Sequence, residues 1–239
     1  MAHNMGIDLV LMLVDKECLD KILTQSWNSL YSQLEKGVMR ELRPSHDPRL
    51  KRSFDIDIEA EILDWLDTIT TGHEGSVFEV LRELENGCEG LLLLMQWASP
   101  GAWEVWEGRA YLYLDVALQR VIEDNTDLYS QSTWSEVFSR LNGLPEDEFS
   151  ESVCLDWMER RKELGETLDE SEDPKIVPTY EAHNRATRLF VHAVTTLHSN
   201  PDYVGILGRE HLEPEKWGHG KWNLQNFLTD SARGSKTTP

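Results

Sequence analysis

The stretch Ile7-Asp8-Leu9-Val10-Leu11-Met12-Leu13-Val14 constrains this chain more than any other. It is short, almost wholly apolar and rich in branched side chains, the pattern of a β-strand buried on both faces. Such a strand cannot stand alone, because its backbone N–H and C=O groups need partners and both of its sides need cover. One or two further strands are therefore expected beside it, with Asp15 closing the run. The run is too short to cross a bilayer, and no basic segment precedes it as in a secretory signal. The longest later apolar run, Leu91-Leu92-Leu93-Leu94-Met95, suits a buried helix or strand.

Most of the remaining pattern is helical. Asp15 can cap a helix running to about Lys36, with Leu19, Ile22, Leu23, Leu30 and Leu34 on one face and Gly37 as its stop. The segment 36–53, broken by Pro44 and Pro48, reads as a loop. A second helix is expected from about Asp57 to Thr70, with Ile58, Ile62, Leu66 and Ile69 on one stripe and acids at its start that suit the helix dipole. Ser76-Val77-Phe78-Glu79 is a capping box for a third helix, expected to stop at Asn86-Gly87, and Thr133-Trp134-Ser135-Glu136 repeats the device.

Between those boxes, Ser99-Pro100-Gly101 splits the chain and two readings stay open. Trp103-Glu104-Val105 with Tyr111-Leu112-Tyr113-Leu114 could form a hairpin, or a helix could run from Pro100 onward, the helix being favoured from about Arg109. Further helices are expected over about 149–164 and 180–198, the latter ended by Asn200-Pro201, with an exposed acidic loop over 165–178 between them. The fold class expected is mainly α (α+β): a multi-helix single domain over residues 1–230 with a small β element, including the strand near residues 7–14. Residues 231–239 read as a flexible C-terminal tail.

Charge limits the partners. The net charge is −20, and its acids are concentrated: residues 53–140 hold 18 acidic and 4 basic side chains, and residues 141–175 hold 12 and 4. A field of that sign repels phosphate backbones and anionic lipid heads, so direct nucleic-acid binding and membrane association are not expected. The one basic cluster is Arg40, Arg43, Arg49, Lys51 and Arg52. Cys18, Cys88 and Cys154 are odd in number and far apart, unlike a disulfide scaffold, and fit a reducing cytoplasm.

Local motifs carry little chemistry. His183, His192 and His198 share the last long helix, but helical geometry sends His192 away from its apolar stripe and sets His183 and His198 roughly 22 Å apart. No Cys-x-x-Cys, His-x-x-x-His, Gly-x-Ser-x-Gly or phosphate-loop spacing occurs, so neither a metal nor a cofactor is implied. Gly218-His219-Gly220-Lys221 reads as a surface turn, and Glu123-Asp124-Asn125-Thr126-Asp127 as a solvated helix end without the glycine of a calcium loop.

The aromatics stand out, with nine tryptophans in the chain. Most are expected in the core. Trp65 sits one residue off the stripe of its helix between Asp64 and Asp67, and is expected to be partly exposed and to anchor a contact. Trp103, Trp106, Tyr111 and Tyr113 are candidates to line a pocket, together with His183 and Arg185 from the last long helix.

Two functions of different class follow. The favoured one is an acidic protein-interaction module, inhibitor- or immunity-like, that recognises a basic protein partner. The alternative is an enzyme or small-molecule-binding protein with a pocket between helices. The residues leave open whether the chain is an enzyme and what its oligomeric state is.

Overall fold

The structure is a computed structural model that describes residues 9–48, 50, 57–69, 72–105, 134–135, 192, 194–209, 214, 217 and 224–229. The expected first strand is present as β1 (Leu9–Asp15). It runs through the middle of a three-stranded antiparallel sheet, between β2 (Gly101–Val105) and β3 (Tyr203–Arg209). The register places Leu11 opposite Trp103 and Leu207, and Met12 opposite Ala102 and Ile206. Successive side chains of a strand point to opposite faces, so these sets lie on opposite sides of the sheet.

Both sides are covered. Val10, Met12 and Val14 join the main core with Ala102, Val204 and Ile206, whereas Leu11, Leu13, Trp103 and Leu207 are buried on the other side. Trp134, Val194 and Leu197 are also fully buried, outside the main cluster, and the Trp134 indole N–H donates to the Gly205 carbonyl at 3.1 Å. Burial of each large β1 side chain contributes about 1.5–3 kcal/mol, which explains why an unbroken apolar run was needed.

The main core is closed by helices: α1 (Lys16–Thr24), α2 (Trp27–Glu35), α3 (Ile58–Asp67), α4 (Val77–Glu83), α5 (Gly87–Trp97) and α6 (Leu224–Leu228). Asp15 caps α1, its carboxylate accepting from the Cys18 N–H at 2.9 Å. Asp57 caps α3 in the same way, accepting from Glu59 N–H at 3.2 Å. The capping box at α4 is complete: Ser76 Oγ accepts from the Glu79 N–H, and Glu79 Oε2 accepts from the Ser76 N–H at 2.8 Å. Gly37 follows α2 in the left-handed conformation (φ 66°), which an L side chain rarely adopts. A short 3-10 helix, Val38–Leu42, then occupies part of the expected loop.

Three expectations need correction. The helix from Asp15 to Lys36 is two helices, because Gln25 and Ser26 are extended and pair with the chain before α4: the Trp27 N–H donates to the Gly75 carbonyl and the Val77 N–H to that of Gln25. Asn86-Gly87 does not end the third helix. That helix stops at Leu84, and Gly87 opens α5 while packed so closely on the Leu81 carbonyl that a Cβ would lie 1.9 Å from it. Of the two readings left open for Trp103-Glu104-Val105, the strand is the one found: Gly101–Val105 is β2, and it pairs with β1. Finally, β3 lies where no strand was expected, directly after the helix that ends before Asn200.

The proposed helix start at Thr133-Trp134-Ser135 agrees with the helical state of residues 134–135, and Val194 and Leu197 face inward as the stripe over 180–198 required. The helix over 149–164, the loop over 165–178, the segment from Arg109 and the tail 231–239 lie outside the described residues. Among the described residues no helix is long and apolar enough to cross a membrane.

The face of β3 that carries Gly208 shows how tightly the sheet is covered. A Cβ at Gly208 would lie 2.3 Å from the Trp217 ring, so the indole occupies the space a side chain would need. Gly208→Ala is expected to cost about 1–3 kcal/mol, the usual penalty for overpacking. Urea denaturation should show a lower midpoint with an unchanged slope.

Candidate binding groove

α3 and α5 pack against each other, with a very close approach at Trp65 and Gly90. The Trp65 ring lies where a Cβ on Gly90 would be, only 2.0 Å from the nearest ring carbon, so the helices approach closely because position 90 has no side chain. Trp65 also stands edge-on to Trp27, with centroids 5.9 Å apart and planes at 79°. The expectation that Trp65 is partly exposed is therefore corrected: it is 4% exposed and belongs to the main core. A position one residue off a helix stripe still turns inward when a second helix packs on that flank.

Beside this contact runs a groove of about 390 Å³. From α3 it is lined by Glu61, Asp64, Trp65 and Thr68, and from α5 by Glu89, Leu92 and Leu93, with Asn86 just ahead of that helix. The α3 set follows the i, i+3, i+4, i+7 spacing of a single helical face, and the α5 set its i, i+3, i+4 part. Three carboxylates thus line a groove with an apolar base, and no lysine or arginine is among its described lining residues. The nearby guanidinium of Arg40 is held elsewhere, its Nε donating to Glu59 Oε2 at 2.7 Å. Glu59 precedes Glu61 by two residues, about 200° around the helix, and so faces away from the groove.

One buried polar side chain continues the α5 face of this groove. Gln96 is 2% exposed, and among the described residues neither its Nε2 nor its Oε1 has a hydrogen-bond partner. The Trp65 indole N–H is likewise unpaired. Leaving such a group buried and unsatisfied costs about 1–3 kcal/mol. Gln96 follows Glu89 by seven residues, which places it about 20° from Glu89 around the helix and about 10 Å further along it. Gln96 is not itself among the residues that line the groove.

The described cysteines are not poised as nucleophiles. Burial, and secondarily the negative charge of Asp15, push the Cys18 thiol up to about 11, and its S–H donates to the Leu42 carbonyl at 3.0 Å. Burial also raises the Cys88 thiol, which donates to Gln225 Oε1 at 3.1 Å. A thiol held protonated attacks slowly and binds metal poorly. Among the described residues no three histidine, cysteine, aspartate or glutamate side chains gather as a metal-binding group.

Of the residues picked out from sequence, Asp64 and Trp65 come together in the groove. Asp67 is exposed beyond its lining and accepts from the Tyr31 hydroxyl at 3.4 Å. Trp103 is buried on the opposite side of the sheet from the main core. Trp106, Tyr111, Tyr113, His183 and Arg185 lie outside the described residues. Sequence reasoning missed Glu61, Thr68, Asn86, Glu89 and Gln96. The available signal was the spacing of Glu89 and Gln96 around an otherwise apolar run.

Models of known protein families, curated proteins and solved structures contain no match to this chain.

The raised Cys18 thiol has a consequence for stability. The unfolded chain ionises this thiol near 9.0 while the folded chain keeps its proton until about 11, so the group's contribution is complete below 9 and is lost as the pH rises toward 11. Cys18→Ala should remove that part of the alkaline decline, read as a flatter dependence of the urea midpoint on pH between about 8.5 and 10.5.

Proposed function

We propose that this chain is an acidic protein-interaction module, inhibitor- or immunity-like, that recognises a basic protein partner through the groove between α3 and α5. The observation that carries this reading is the lining itself: Glu61, Asp64 and Glu89 share one groove with no cation among its described walls, over the apolar surface of Trp65, Leu92 and Leu93. Carboxylates of one sign in a concave site focus their field and speed the approach of a cation. The apolar base offers a surface for the methylene stem of a lysine or arginine while its charged head meets the carboxylates. Such recognition gains its rate and selectivity from charge and its persistence from the desolvated base.

The test uses the full chain, labelled for NMR and titrated with a short lysine- and arginine-containing peptide. Shifts should concentrate on α3 and α5, and affinity should fall steeply as salt rises from about 25 to 300 mM, because the Debye length shortens. Combined Glu61→Lys, Asp64→Lys and Glu89→Lys should weaken binding by about tenfold or more at low salt. Equal affinity in the charge-reversed variant, or shifts centred on another face, would remove this groove as the docking site.

A further inference from the structure

We infer that the groove selects arginine over lysine in the basic segment it binds, because its carboxylates stand on two helices and a guanidinium can bridge them. The inference rests on the function proposed above and adds to it the side chain that the partner must present. Glu61 and Asp64 come from α3 and Glu89 from α5, so negative groups line the groove from both of its helices. The remaining polar lining adds further acceptors. Thr68 commits its hydroxyl proton inside the fold, donating to the Trp65 carbonyl at 2.6 Å, so its oxygen can only accept from a bound molecule. Asn86 is the N-cap residue of α5, yet its side chain makes no capping bond, which leaves its carboxamide oxygen to the groove.

Two side-chain cations compete for such a site. A lysine ammonium concentrates its charge at one point, offers three donors and holds its water strongly. An arginine guanidinium is planar, offers five donors in a fixed fork and is more weakly hydrated. One of its edges can meet a carboxylate of α3 while another meets Glu89 of α5, each through charge-assisted hydrogen bonds. Its weakly hydrated faces and methylene stem can rest on Trp65, Leu92 and Leu93 at a smaller desolvation cost than an ammonium incurs. A groove of about 390 Å³ has room for head and stem together. An ammonium drawn to one helix would leave the acceptors of the other without a partner.

Two acetylated and amidated peptides of one sequence, one with arginine at each basic position and the other with lysine, separate these cases when titrated into the native chain by NMR. The two carry the same charge. Both should shift α3 and α5, with the arginine peptide binding about five- to tenfold more tightly. Glu89→Gln keeps the shape of the α5 side and removes its charge, so it should weaken both peptides and reduce their ratio to about twofold or less. Equal affinities in the native chain, or a tighter lysine peptide, overturn arginine selection and leave the charge-based reading standing. A ratio that Glu89→Gln leaves unchanged overturns the bridge between helices, since arginine is then favoured by its weak hydration alone. Failure of both peptides to shift the groove removes the docking site itself and the inference with it. The comparison on the native chain decides the selectivity even where the variant does not fold.

Discussion

A β-strand whose two edges and two faces are all satisfied holds this molecule together. β1 pairs with β2 on one edge and β3 on the other, so its backbone groups are used in the sheet. Its alternate side chains enter two separate buried regions, Val10, Met12 and Val14 on one side and Leu11 and Leu13 on the other. The partner strands come from positions about 90 and 195 residues away, so the sheet exists only when segments far apart in the chain have met. Loop-closure cost grows slowly with length, whereas the burial of a strand on both faces is large.

Around that strand, the helices are positioned by interruptions as much as by their apolar stripes. The extended step at Gln25-Ser26 lets the α1–α2 junction bond to the chain entering α4, which ties three helix ends at one point. Gly87 seats the start of α5 on the last turn of α4, and Gly90 admits Trp65 from α3. Each is a contact in which a missing side chain on one element makes room for another. The α3–α5 groove lies beside the last of these contacts, and its carboxylates are there because the outward flanks of both helices carry the acids of the chain's most negative region.

Elements whose signals are local were legible from residues alone. The Asp15 cap, the Ser76 capping box and the left-handed Gly37 each depend on groups within a few residues of one another, and each was read in place. The stripe of α3 was equally plain, with Ile58, Ile62 and Leu66 buried as its period required. The site was only partly legible. Asp64 and Trp65 were picked out for a different reason, as an exposed aromatic among acids, and Glu61, Glu89 and Gln96 were not picked out, because nothing in one helix tells which flank a second helix will approach.

What the sequence determined by itself was the composition of each element: a strand that must be buried, helices with known caps and stripes, and an acidic middle that repels anions. Such properties follow from short-range periodicity, capping chemistry and total charge, which do not depend on how distant segments meet. The tertiary structure alone decided that 101–105 and 203–209 are strands, that Trp65 is covered, and that Glu61, Asp64 and Glu89 share a groove. The physical reason is that strand pairing, burial on a helix flank and the convergence of charges are properties of pairs of segments far apart in the chain, fixed only when the packing around β1 brings them together.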